Sequence, residues 1–299
     1  MGIGITELQF LKFAKKNYFL GDVLTLGRQQ IGINSFQIEN ELKKSLGGKY
    51  NIMDYCEDLL KNEFGANSVT SLDYSDYEGC TITGDIGDLN LNIKKKFNTI
   101  IDFGTIEHIF DIGNAFRNIN KLLVTGGIVL HSNPANSFCG HGFWQLSHEL
   151  FFSIYNKENG YSDTRVFIKD FTNKYNEWFE FKKSEPGKRL VYCSKEGVGN
   201  LVISKKIINI EKLKVYQTLY DIDWSSSQNK NLTIKNNIKK NNNITIKILL
   251  YLRSKIKKLP LFFIISFVRS KYHKFFIQEP QHFTRNNLIK ANKVKDLIN

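Results

Sequence analysis

The stretch that most constrains this chain runs from Thr99 to His131, TIIDFGTIEHIFDIGNAFRNINKLLVTGGIVLH. Two short runs, Thr99–Phe103 and Ile128–His131, are apolar at consecutive positions, which is the pattern of strands covered on both faces. Between them, Phe116, Ile119, Leu122 and Leu123 fall on one side of a helix expected over Ile112–Leu123, with Gly126-Gly127 as its stop. A strand, a helix and a second strand in this order predict a parallel pair joined by a helical crossover. The first half of the chain repeats the alternation. Strands are expected at Asp22–Arg28, Ser68–Leu72 and Thr81–Thr83, with a helix at Ser35–Leu46, capped by Ser35 and stopped by Gly47-Gly48. The opening MGIGITELQFLKFAKKN is expected to form an amphipathic helix. Beyond Tyr161, Arg165–Ile168 and Leu201–Ser204 are expected to complete the sheet, with Lys169–Gly199 an insertion.

Charge narrows the classes of function. Of the 42 Lys and Arg among 299 residues, sixteen lie between Asn229 and Asn299, where the acidic residues are Glu279 and Asp296 alone. The excess of +13 therefore belongs to the tail, and no nucleic-acid partner is expected for the chain as a whole. Cys56, Cys80, Cys139 and Cys193 form no CxxC pair, which excludes a zinc ribbon and a disulfide framework and suits a reducing, cytoplasmic setting. The N-terminal segment carries charges through its apolar part, so it reads as neither signal peptide nor membrane anchor.

Ligands of such sheets bind beyond the carboxyl ends of the strands, so the loops there carry the chemistry. A ribose needs a carboxylate beyond the second strand, and Asp73, followed by Tyr74, stands there; a turn cap is its other reading. The loop LGRQQIG offers Leu26 and close backbone approach at Gly27, but it is not GxGxxG, which disfavours a nicotinamide oxidoreductase. Arg28 fits either a partner for a ligand carboxylate or a solvated side chain. Asp85 accepts from an adenine amino group in one reading while Ile86 packs on the ring; in the other it is a turn residue beside Gly84 and Gly87. The segment HSNPANSFCGHGFWQLSHEL, residues 131–150, has the composition of a polar pocket. Chemistry at a hydroxyl oxygen needs a base that takes the proton, and a neutral imidazole is suited to it. His141, between Gly140 and Gly142, is the candidate base, against a turn histidine bonded to backbone. Asn133 and Asn136 are candidates to orient acceptor hydroxyls, Gln145 to contact the acceptor, and Trp144 to stack on a sugar face or lie in the core. His131 reads as a buried strand-end residue and His148 as the start of a helix. No metal is expected, because His141 and His148 are seven apart and not at ligand spacing with carboxylates.

The order LTLGRQ, SLDYSDYEG and FNTIIDFGTIEHIFDIGNAFRNINKLLVTGGIVLHSNPANSFCGHGFWQLSHELFF resembles class I S-adenosylmethionine-dependent methyltransferases, particularly those associated with bacterial surface-polysaccharide clusters. The resemblance covers roughly Asp22 to Tyr161. It implies a Rossmann-like sheet, mostly parallel with a C-terminal antiparallel strand, and S-adenosylmethionine as cofactor with S-adenosylhomocysteine as product. It also implies a donor site of Leu26, Gly27, Asp73, Asp85 and Gly104. In the family the EH histidine, here His108, sits near the donor, and Glu107 beside it reads as structural. The implied reaction is O-methylation of a sugar or of a phosphorylated or phosphoramidate glycan precursor. The alternative is a non-catalytic membrane- or partner-binding protein on a degenerate fold.

Residues 1–224 are accordingly expected to form the methyltransferase domain, 225–243 a polar linker and 244–299 a basic helical extension. The longest uncharged run of the extension, Leu259–Val268, is about half the ~20 residues that span a bilayer. Peripheral contact with the inner membrane surface and packing on the domain or a second protomer both fit its composition.

Overall fold

The computed structural model describes residues 2–170, 178–184, 197–217 and 288–290. Eleven strands and five α-helices are described: β1 (Gly2–Ile3), α1 (Ile5–Asn17), β2 (Gly21–Leu26), β3 (Gln30–Ile31), α2 (Ser35–Leu42), α3 (Glu57–Phe64), β4 (Ala66–Asp73), β5 (Ile82–Thr83), β6 (Phe97–Phe103), α4 (Ile112–Leu122), β7 (Leu123–Asn136), α5 (His148–Ile154), β8 (Tyr161–Asp170), β9 (Trp178–Phe181), β10 (Val198–Lys206) and β11 (Leu288–Lys290). Nine strands make one sheet in the order β11-β9-β8-β10-β7-β6-β2-β4-β5. From β5 to β7 every pairing is parallel, and β10, β8, β9 and β11 continue it with antiparallel pairings. The chain leaves β2 through β4 to β5 on one side, then crosses to β6 and β7 on the other. The switch point of this Rossmann-like sheet therefore lies between β2 and β6.

Side-chain alternation explains why these runs are strands in the middle of a protein. Val23, Ile101, Phe103, Ile128, Leu130, Leu201 and Ile203 point to one core with Leu8, Phe10 and Leu11 of α1, Ile38 of α2 and Leu59 and Leu60 of α3. Leu24, Ile100, Val129 and Val202 point to the opposite core with Phe116 and Ile119 of α4 and Phe151 of α5. Each strand feeds two apolar layers, which is why its sequence lacks polar alternation.

Several local expectations shift. Asn34, not Ser35, caps α2, accepting from Gln37 N–H while Gln37 reaches back to Asn34 N–H. The helix ends at Leu42 and not Leu46. Gly126-Gly127 do not stop α4: the helix runs directly into β7, and the glycines lie within the strand, where a Cβ on Gly127 would come within 2.6 Å of Asn98 O. In the tail, Leu288–Lys290 pair antiparallel with Phe179–Phe181 as an edge strand; the linker 225–243, the rest of 244–299 and Cys193 lie outside the described residues. Among the described residues no helix is long and apolar enough to cross a membrane.

Candidate functional site

A cavity of about 470 Å³ opens at the carboxyl ends of β2, β4, β5 and β6, beside the switch point, and its volume falls within the ~300–1,000 Å³ of small-molecule sites. Leu26, Gly27, Arg28, Asp73, Tyr74, Asp85 and Ile86 line it, as do Gly84, Thr105 and His108. Gly27 has φ +71°, and a Cβ there would stand 2.9 Å from Thr105 Oγ1, whose hydroxyl donates to Leu26 O. The chain thus turns at Gly27 in the left-handed region with no room for a side chain. Asp73 ends β4 facing this turn: Oδ2 accepts from Arg28 N–H at 3.1 Å and Oδ1 from Tyr74 N–H at 2.7 Å. Each oxygen keeps further accepting capacity. Arg28 lines the cavity and is not a solvated side chain. Its guanidinium lies 3.8 Å from the centre of the Tyr55 ring, donates to Glu57 Oε1 at 2.8 Å and to Glu78 O at 2.6 Å, and so ties α3 to the rim. Asp85 Oδ1 accepts from Gly87 N–H at 2.7 Å, the turn role, while the residue also lines the cavity.

A second cavity, about 480 Å³, lies beyond β6 and β7 under the N-terminal segment; Glu7, Gly104, Glu107, Ser132, His141 and Lys169 are among its lining residues. Its polar floor is a largely buried ion pair: Lys169 Nζ donates to Glu7 Oε1 at 3.3 Å, Ser132 Oγ to the same oxygen at 2.8 Å, and Gly4 N–H to Glu7 Oε2 at 3.2 Å. Burial lowers the Lys169 pKa and Glu7 opposes it.

Between the cavities runs a buried polar chain that starts at Asp102, the penultimate residue of β6. Asp102 Oδ1 accepts from Thr105 and Ile106 N–H, at 3.0 and 3.2 Å, which folds the EH turn. Oδ2 accepts from His131 Nδ1 at 2.7 Å and from Asn133 Nδ2 at 3.0 Å. His131 Nε2 lies 2.7 Å from Tyr155 OH, so both ring nitrogens have hydrogen-bond partners in the core. Asn133 does not reach an acceptor site. It is buried, and its second amide hydrogen goes to Glu107 Oε2 at 3.0 Å. Burial first, and then the charge of Asp102, push the Glu107 carboxyl up to about 8.

The loop after β7 is stitched onto this turn. Phe143 and Trp144 N–H both donate to Glu107 O, at 2.8 and 3.1 Å, and Trp144 Nε1 donates to Ile109 O. Gly142 makes the approach possible, since a Cβ there would lie 2.8 Å from Glu107 O. His141 consequently reaches Glu107, Nε2 to Oε1 3.8 Å, and its ring meets His108 edge to face at 5.1 Å. Burial and His141 lower the pKa of His108. Trp144 stands at the surface, 38% exposed, and not in the core. Asn136 and Gln145 line neither cavity; they hold the loop itself, Asn136 Oδ1 accepting from Ser137 N–H and Gln145 Oε1 from Phe138 N–H. The convergence of Glu107, His108 and His141 is what sequence spacing misses, because the residues meet only through Gly142.

Neither a scan against family models nor a search of curated proteins returns a match. Among solved structures the chain aligns with the N-methyltransferase NodS from Bradyrhizobium japonicum WM9 at 12% identity and a TM-score of 0.36, over 67% of this chain and 93% of that one. It aligns with the plantazolicin methyltransferase BamL, solved with a triazolic desmethylPZN analog and SAH, at 13% and 0.38, over 67% and 84%. For the StiE O-MT segment the values are 13% and 0.40, over 75% and 80%. With TM-scores below 0.5, these likenesses add nothing to what the strand order itself says.

Proposed function

We propose that this protein is an S-adenosylmethionine-dependent methyltransferase that binds the donor in the switch-point cavity and receives an acceptor oxygen through the second cavity. The observation that carries the reading is the pairing at the first cavity of a glycine turn too tight for a side chain with a carboxylate, Asp73, at the next strand end. A nucleoside needs both, one for close backbone approach and one for the ribose hydroxyls. Ile86 and Asp85 suit the adenine at the far end, and Leu26 and Gly27 the methionine end. His108 lines this cavity and its ring meets that of His141, which lines the second, so the sulfonium methyl would face His141 and Glu107. In-line transfer requires the acceptor oxygen there, and its proton is lost at the same place, to the imidazole of His141.

Phe143, exposed at the donor cavity, and Trp144 next to it in the loop that carries His141 suit stacking on a sugar ring, which favours a sugar or sugar-linked glycan precursor as acceptor. A phosphorylated or phosphoramidate precursor is the variant in which the accepting oxygen is already anionic and His141 is dispensable. The basic tail, on this reading, brings the enzyme to anionic lipid carrying such precursors. The test is calorimetric titration of the folded protein with S-adenosylhomocysteine, followed by an acceptor screen among nucleotide sugars and glycan precursors. Micromolar binding supports the assignment. A folded chain that binds neither donor nor product refutes it and leaves a binding module in its place.

A further inference from the structure

The seam between the cavities holds more nitrogen and oxygen ligands than a single base requires. One side-chain donor atom from each of Glu107, His108 and His141 lies within 4.8 Å of the other two. Two imidazoles and one carboxylate are a donor set that divalent first-row metals accept, while magnesium and calcium prefer oxygen alone. We propose that Glu107, His108 and His141 form a site for a divalent transition metal of the zinc class, whose remaining positions face the second cavity and take the acceptor hydroxyl.

Four observations support it. Glu107 is 1% exposed and has one oxygen, Oε2, fixed by Asn133, which turns Oε1 toward the imidazole of His141 at 3.8 Å. Fixing a ligand carboxylate by a hydrogen bond from behind is how metal sites hold their geometry. Zinc binds imidazole nitrogen and carboxylate oxygen at about 2.0–2.2 Å, so ligand atoms on one ion stand roughly 3–3.5 Å apart, a small closure from the distances here. His141 can supply that closure, being half-exposed and set between glycines at φ +92° and +73°. Finally, the cluster lies where the proposed reaction needs it: His108 lines the donor cavity, Glu107 and His141 the second.

The role of the ion rests on the methyltransferase reading; its binding does not. A hydroxyl bound to such an ion is more acidic, as metal-bound water is. Its O–H bond breaks with the proton passing to solvent water in the second cavity. The oxygen then bonds to the methyl carbon, and the electron pair of the breaking C–S bond returns to sulfur, leaving neutral S-adenosylhomocysteine. His141 is then a ligand, and the ion replaces it as the agent that removes the proton.

The experiment titrates Co²⁺, as a spectroscopic stand-in for Zn²⁺, into the full chain freed of metal by chelator and dialysis. Expected are saturable visible d–d bands at one equivalent, displaced by Zn²⁺, lost in His108→Ala/His141→Ala and weakened at least tenfold in Glu107→Gln. Glu107→Gln keeps the volume and the hydrogen bond to Asn133, so its fold is the control for the double variant. Cys139 is exposed two residues from His141, and Cys139→Ser should retain the bands. Absence of saturable binding to the folded wild type, or bands that persist in the double variant, overturns the site. S-adenosylhomocysteine titrated into the same samples reports on the other reading: metal bound without product binding sinks methyl transfer, and product bound without metal sinks the ion.

Discussion

Replacing Asp73 by Ala tests the donor cavity most directly. The carboxylate makes two hydrogen bonds to backbone N–H groups, from Arg28 and Tyr74, and would add two from a ribose. A hydrogen bond to a charged group contributes about 1.5–3 kcal/mol net. Two ribose bonds lost together would weaken binding by roughly 3–6 kcal/mol, and the partial exposure of Asp73 places the expectation at the low end. A loss of about 3 kcal/mol is a factor of roughly 150 in Kd. Asp73→Asn, which keeps one acceptor oxygen and loses the charge, should fall between, near tenfold. Calorimetry with S-adenosylhomocysteine reads both, and far-UV circular dichroism with a thermal melt shows whether each variant folds. The carboxylate also holds the first turn, so a small fall in Tm is expected without loss of fold. Should folded Asp73→Ala bind the product within about threefold of wild type, Asp73 is a turn residue and the ribose site lies elsewhere.

Further expectations concern the framework. Gly142→Ala places a Cβ 2.8 Å from Glu107 O at φ +73°, whereas Gly140→Ala at φ +92° meets nothing within 4 Å. Strain alone costs of order 1–3 kcal/mol, so the first variant should lose more stability than the second in urea unfolding, and equal losses would mean that the two loops do not depend on this contact. Tyr155→Phe leaves His131 Nε2 without its hydrogen-bond partner in the core and should cost about 1–3 kcal/mol; an unchanged urea midpoint would mean that this buried hydrogen bond adds nothing to stability. Lys206, 1% exposed with its ammonium on Asn120 O, Leu123 O and Asn209 Oδ1, has its pKa lowered by burial, and further by Lys96, to about 8 from 10.5. Between those values the unfolded chain binds the extra proton, so this group makes stability rise with pH from about 8 to 10.5. Lys206→Met should flatten that rise in urea midpoints taken at pH 8 and 10; parallel slopes in the two proteins would refute the assignment.

The sheet was legible because its signal is physical and local: strands buried on both faces cannot alternate, and Thr99–Phe103 and Ile128–His131 do not. That Asp73, Gly27, Asp85 and Ile86 line one cavity could be foreseen because strand ends in such a sheet converge by topology. Less visible were elements whose stability comes from partners. Glu57–Phe64 has Leu59, Leu60 and Phe64 as its buried residues and offers too short a pattern to announce a helix. The two-residue strands β1 and β3 pair with each other, at the edge of the second cavity, and are too short to leave a pattern in the sequence. Between Asn34 and Ser35, both good caps, the choice depends on Gln37 closing the box. Asn133 looked like a residue for substrate because Asn beside a strand end is polar in sequence; only the fold shows two carboxylates behind it.

That pair of carboxylates explains why the seam is built as it is. Asp102 has four acceptor sites, and Thr105, Ile106, His131 and Asn133 fill them. A saturated carboxylate can leave the interior neither by rotation nor by finding water, so it fixes the EH turn from below. Glu107 shares Asn133 with it but keeps Oε1 on the cavity side, beside His141. Two negative groups tied to one amide in the core repel each other, and the repulsion is relieved by a proton on Glu107 or by a cation at Oε1. A cation requires nitrogen ligands arriving from another loop, and the Gly142 contact delivers His141 to that oxygen.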